Sequence, residues 1–170
     1  LVKDLGMLEP VGGQEKGYRR GTQDAPAALA FAAALEADPY DMERLGRLRS
    51  RLEEGVKASG GTIIGEESPR LATIGAISLA GASSSALLVQ LDLAGIAVSA
   101  GSACSSGKMK ESSVLRAMDV PAEIIGGFLR LSFGPATTEQ EVDAFLAAWA
   151  KIARRHAQGA ASGETGKLVA

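Results

Sequence analysis

At 170 residues, 46% hydrophobic and 22% charged, the chain is long enough for one packed core or for a small domain with an extension, and this composition excludes disorder throughout. A formal net charge of −2 leaves no broad basic field for nucleic acid or an anionic membrane, and no apolar run approaches the about 18 residues of a membrane span. One cysteine rules out an internal disulfide or a multi-cysteine metal site, and one histidine without an acidic cluster argues against an intrinsic metal.

The opening Leu1-Val2-Lys3-Asp4-Leu5 lacks Met and resembles the end of a strand already under way, so a fragment is expected. It also lacks the basic region and cleavage site of a signal peptide, which predicts a cytoplasmic protein. The Gly-rich stretch from Gly12 to Thr22 predicts a long loop. Asp24 then caps a predicted helix with Pro26 in its first turn and an alanine-rich body, Ala27 to Ala37. Asp38-Pro39 predicts the start of a second helix, which carries Leu45, Leu48, Leu52 and Val56 on one stripe and stops before Gly60-Gly61. Arg70 to Leu79 predicts a strand.

Ser83 to Ser85 offer caps for a helix with Leu87, Leu88, Leu91 and Ala94 on one face, ending at Gly95. Ile96-Ala97-Val98 is a predicted short strand that runs into the small-residue loop Ser99 to Gly107. Ser112 or Ser113 caps a short helix through Met118, and Pro121 opens another turn or helix. Phe128 to Phe133 alternates, with Leu129, Leu131 and Phe133 on one face and Phe128, Arg130 and Ser132 on the other. Thr138 and Glu141 form a capping box for a helix with Val142, Phe145, Leu146, Trp149 and Ile152 at core spacing. From Ala157 a frayed tail is expected. Together these elements predict an α+β fold, with helices packed against a small sheet.

Cys104 is the first candidate for chemistry. Its Gly, Ala and Ser neighbours bury little, so the loop can swing and carry a thiol between two places. Lys108, Lys110 and the start of the next helix favour the nucleophilic thiolate. The alternatives are that Cys104 is a small buried hydrophobe and that the two lysines are solvated loop charges.

The segment Ile96 to Gly107, followed by Ser113-Val114-Leu115-Arg116-Ala117-Met118, resembles the catalytic-cysteine segment of bacterial cysteine desulfurases. These are pyridoxal-phosphate (PLP) enzymes of the fold-type I, class V aminotransferase family, here the group with a long mobile cysteine loop. Two further segments agree in order and spacing: Gly12-Gly13-Gln14-Glu15-Lys16-Gly17 through Arg19, Gly21 and Thr22, and Leu129 to Gly134 followed by Thr137 to Asp143.

The resemblance implies that Cys104 attacks the sulfur of a PLP-bound L-cysteine, leaving L-alanine and a Cys104 persulfide for an acceptor such as an iron–sulfur scaffold. It implies that Arg130 binds the substrate α-carboxylate, a role a planar guanidinium suits, although spacing alone equally allows a surface arginine on an edge strand. It implies that Thr22 reaches the PLP phosphate of the partner subunit in a homodimer; by itself Thr22 is also an ordinary loop threonine. Any iron–sulfur contact would be transient and through Cys104. Arg20 stands where relatives more often have a small residue and is given no role, and His156 is read as a cation at a helix C-terminus.

Of the lysines, Lys3, Lys16, Lys57, Lys108, Lys110, Lys151 and Lys167, none follows a histidine as the family's Schiff-base lysine does. That lysine is expected before Leu1, so the chain alone is expected to be inactive. The implied organisation is the end of the PLP large domain and a connecting helix over 1–37, a C-terminal small domain over 38–156 whose sheet is mainly antiparallel, and a flexible tail over 157–170. The competing readings are a non-catalytic module for dimer contact or acceptor docking, and a related selenocysteine lyase or aminotransferase.

Overall fold

In a computed structural model, which describes residues 3–37, 39–101 and 112–165, the chain divides into two compact units, Leu1–Pro39 and Tyr40–Ala170. Within the first, the Gly-rich stretch folds on itself. Gln14 and Arg19 form an antiparallel bridge around a single 3-10 turn, Glu15–Gly17, whose residues all have positive φ. Gly12 packs so tightly on this turn that a Cβ built there would collide with the Arg19 carbonyl oxygen. Helix α1 (Ala25–Ala37) follows, and the Asp24 carboxylate accepts the Ala27 N–H at 3.0 Å as the sequence predicts. α1 buries no residue within its unit and leaves Leu29, Phe31 and Leu35 exposed.

The second unit is built on helix α2 (Met42–Ala58), whose predicted stripe of Leu45, Leu48, Leu52 and Val56 is fully buried. Its cap is Asp41, which accepts the Arg44 N–H at 2.9 Å, so the helix starts later than the Asp38-Pro39 signal suggests; Asp38 itself lies outside the described residues. Strands β1 (Thr62–Ile63), β2 (Ile74–Ser78) and β3 (Phe128–Ser132) form an antiparallel sheet in the order β1-β2-β3.

β2 begins four residues after the predicted Arg70. Before it, the Leu71 carbonyl accepts from Arg49 Nη1 at 2.6 Å and the Arg70 guanidinium is committed to Glu53, so this backbone and its side chains are bound to α2 and not to the ladder.

One sheet face, with Ile77, Leu129 and Leu131, packs against α2, α3 (Ser84–Asp92) and α6 (Glu139–Thr165). Leu87 and Leu91 of α3 are buried as expected; Leu88 is half-buried, and Ala94 lies past the helix end and is exposed. The centre of this core is Trp149, fully buried and stacked on Phe145 with ring centroids 5.9 Å apart. The other sheet face is covered at one end by α4 (Ser113–Ala117) and α5 (Ala122–Gly126) through Ile64, Leu115 and Ile125.

Two expectations are corrected. Ile96-Ala97-Val98 is not a strand, because the Ile96 N–H closes the end of α3 on the Leu91 carbonyl at 2.9 Å while Ile96 and Val98 pack half-buried against the core. In place of a strand there is one antiparallel bridge, Ser99 to Arg130. The frayed tail does not begin at Ala157, because α6 continues to Thr165; Ala157 and Ala160 are strong helix formers, and Gly159 costs the helix only about 1 kcal/mol. No helix among the described residues is long and apolar enough to cross a membrane.

Candidate active site

The alternation in β3 puts Leu129 and Leu131 in the core and leaves Arg130 and Ser132 exposed on the opposite face. Arg130 is held from both sides. Across β2 it is paired with Ala76, and on its other edge its N–H donates to the Ser99 carbonyl at 2.8 Å while its carbonyl accepts the Ser99 N–H at 3.0 Å. Residues directly opposite in an antiparallel pair share a face, so Ala76, Arg130 and Ser99 form one row. Among the described residues no carboxylate pairs with the Arg130 guanidinium. The backbone of this arginine is fixed in the sheet, and its side chain is exposed.

The ends of β3 are also pinned. Ahead of it, Gly127 lies against the Leu79 backbone so closely that a Cβ built there would strike the Leu79 carbonyl oxygen. Buried Ser78 donates its hydroxyl to the Ile124 carbonyl at 2.5 Å, tying the sheet to α5. After β3, Arg44 of α2 donates to the Thr137 and Pro135 carbonyls at 2.6 and 2.5 Å and clamps the turn into α6. The predicted capping box then closes α6: the Thr138 N–H and hydroxyl donate to Glu141 at 2.7 and 3.0 Å, and the Glu141 N–H donates back to the hydroxyl at 3.3 Å. The two hydrogen bonds that Glu141 accepts, the backbone one first, hold its carboxyl below the usual carboxylate range.

Cys104, Lys108 and Lys110 lie outside the described residues. Their segment leaves the bridge residue Ser99 on one side and meets, on the other, Ser112, whose side chain caps α4 by accepting the Leu115 N–H at 3.3 Å. Thr22 belongs to the first unit, where it is exposed just beyond Gly21, a residue at φ 78°. In the same loop the Arg19 Nη2 is buried with no hydrogen-bond partner, an orphan cationic donor of the kind a phosphate satisfies. Arg19 Nη2 and the exposed Thr22 hydroxyl are donors of the kind that the phosphate end of PLP would take. Of the described lysines, Lys57 is paired with Glu66 at 2.5 Å, which raises its pKa, and Lys3, Lys16 and Lys151 lie exposed.

A cleft of ≈ 380 Å³ runs between residues 95–98 and α6, floored by Leu52, Leu131, Phe133 and Phe145. It holds none of the expected site residues, and its one carboxylate, Glu141, is engaged in the capping box. His156 serves the fold, since its Nε2 lies 3.0 Å from the Ala80 carbonyl and fastens α6 to the turn after β2.

Two polar residues beside Arg130 escape a reading of the sequence for function. Ser132 shares its strand face, which the alternation shows, but a serine on an exposed strand face carries no chemical signal of its own. Ser99 faces it through a pairing across thirty-one positions, which no local pattern reveals.

Residues 6–145 match the family model for aminotransferase class V. A cysteine desulfurase of Bradyrhizobium diazoefficiens is 42% identical over 149 residues, covering 85% of this chain and 38% of that protein. The cysteine desulfurase NifS of Azotobacter vinelandii is 36% identical over 138 residues, covering 78% and 34%. Among solved structures, a NifS-like protein of Rickettsia africae aligns with a TM-score of 0.66 at 29% identity, over 83% of this chain and 38% of that one. The chain thus spans well under half the length of these relatives.

Proposed function

The chain belongs to the aminotransferase class-V family, and from that membership we propose that it is part of a cytoplasmic cysteine desulfurase: residues 1–37 close the large PLP domain and 38–156 form the C-terminal small domain. The observation that supports this most is Arg130, whose guanidinium has no carboxylate partner among the described residues, on a strand fixed from both edges and bridged to Ser99, five positions before the chain's one cysteine.

Arg130 binds the α-carboxylate of L-cysteine through two parallel hydrogen bonds, which orients the substrate's sulfur. Cys104 comes five positions after Ser99, a tether of at most about 18 Å, which keeps the thiol within that reach of the row that contains Arg130. When bound, PLP supplies the electron sink that makes the substrate's carbon–sulfur bond cleavable. The Cys104 thiolate attacks that sulfur. The carbon keeps the bonding electrons and takes a proton to become L-alanine, and Cys104 is left as a persulfide. The sulfur then passes to an acceptor such as an iron–sulfur scaffold. Thr22 donates its hydroxyl to the PLP phosphate of the partner subunit in a homodimer.

The test is the full-length protein incubated with PLP and L-cysteine. It is expected to form alanine and, with a reductant, sulfide; replacement of Cys104 by Ala abolishes both. The chain by itself is expected to release no sulfide above a cysteine-free blank. Absence of alanine from the full-length protein contradicts the proposal.

A second reading draws on α1, whose exposed Leu29, Phe31 and Leu35 need a covering partner. It makes the chain a non-catalytic module for dimer contact or acceptor docking. In that case the protein occurs in cells at the mass of this chain, whereas the desulfurase requires the longer polypeptide.

A further inference from the structure

The row that holds Arg130 carries more than one donor. Ser99 stands directly opposite Arg130 across the outer edge of β3, on the same face, in a hydrogen-bonded pair whose Cα atoms are about 5.5 Å apart in such geometry. Ser132 is two residues along β3, again on that face, at about 7 Å. All three are exposed, and among the described residues neither hydroxyl has a hydrogen-bond partner. The inner neighbour, Ala76, is half-buried against the cluster of Ile64, Leu115 and Ile125, so the row opens on its Arg130 and Ser99 side.

A carboxylate offers about four lone-pair sites, and a bidentate arginine fills two. We propose that the Ser99 and Ser132 hydroxyls fill the others, so that Ser99, Arg130 and Ser132 together form the substrate's carboxylate-binding site. The geometry gives each residue a distinct part. Arg130 supplies charge. The serines flank it along and across the strand, and they confine the carboxylate to the plane in which both guanidinium hydrogen bonds are made. Ser99 has a second consequence, because the same residue whose hydroxyl meets the carboxylate also anchors the segment leading to Cys104 through its backbone. The site selects amino acids over the corresponding decarboxylated amines. This inference rests on the proposed desulfurase reading and adds two substrate-binding residues to it.

The experiment uses the full-length holoenzyme with Ser99→Ala, Ser132→Ala, Ser132→Thr and Arg130→Lys. Each alanine variant is expected to raise KM for L-cysteine about tenfold or more and to change kcat by less than about twofold, as loss of a hydrogen bond to a charged group predicts when ground state and transition state lose it equally. The Kd for L-alanine, read by equilibrium dialysis, is expected to weaken by the same factor, with an unchanged melting temperature. Ser132→Thr, which keeps the hydroxyl on a residue that suits a strand, restores both values. Wild-type values in both alanine variants, with Arg130→Lys impaired, overturn this inference and leave the desulfurase reading standing. A wild-type holoenzyme that forms no alanine from cysteine contradicts the desulfurase reading itself. If the alanine variants lose L-alanine binding together with their melting transition and Ser132→Thr does not restore it, the serines are structural and the inference is wrong.

Discussion

Among the described residues, Glu53 is the one charged residue that is buried in the second unit, and it sets up a quantitative test of the packing. Its side chain is 8% exposed and accepts from Arg70 Nη1 at 2.5 Å and Nη2 at 3.1 Å, a bidentate pair. Arg49 Nε, at 3.6 Å, is too far for a hydrogen bond. Arg70→Met removes both hydrogen bonds and leaves the buried carboxylate with Arg49 as its remaining ion-pair partner, at a cost of about 3 kcal/mol, the low end for breaking a buried pair and still a large fraction of the about 5–15 kcal/mol that holds a domain together. Replacing both residues, Glu53→Leu with Arg70→Met, removes the stranded charge along with the pair and is expected to fall within about 1.5 kcal/mol of the original. Urea unfolding followed by the fluorescence of buried Trp149 measures both. A cost below about 1 kcal/mol for Arg70→Met, or a double variant as unstable as the single, refutes this account of the pair.

Three other outcomes concern the fold and one the site. Gly127→Ala drives a Cβ into the Leu79 carbonyl and costs about 1–3 kcal/mol in urea unfolding, whereas Gly13→Ala, with open space at its Cβ, is nearly neutral. Thr138→Ala removes the α6 cap for about 1 kcal/mol. Because the Glu141 carboxyl is lowered in the folded state, its stabilisation is present at neutral pH and is lost as pH falls below about 4.5 through that lowered value; the difference in melting temperature between the protein and Glu141→Gln shrinks over that range. Arg130→Lys in the full-length enzyme loses the bidentate geometry and raises KM for L-cysteine about tenfold or more.

The elements legible in the sequence are those whose signal is local. The α2 stripe, the Asp24 cap, the alternation of β3 and the Thr138–Glu141 capping box each depend on residues within a turn or two, and each stands in the structure as read. What escaped depends on distant partners. β2 is shortened because arginines of α2 hold the backbone and side chains before it. Ile96 to Val98 has strand composition, yet its apolar residues serve the core and one of its N–H groups closes α3. The two-residue β1 is too short to show any period. In the candidate site, the orientation of Arg130 was readable from alternation, whereas Ser99 beside it required knowledge of the bridge.

The central claim is that Cys104 receives sulfur from a substrate held by Arg130. The most direct measurement is the mass of the peptide containing Cys104, taken from full-length holoenzyme briefly exposed to L-cysteine and quenched with a thiol-alkylating reagent. The account predicts a gain of one sulfur atom at Cys104, removed by reductant and absent or strongly reduced in Arg130→Ala. A Cys104 that remains an unmodified thiol while alanine accumulates would contradict it.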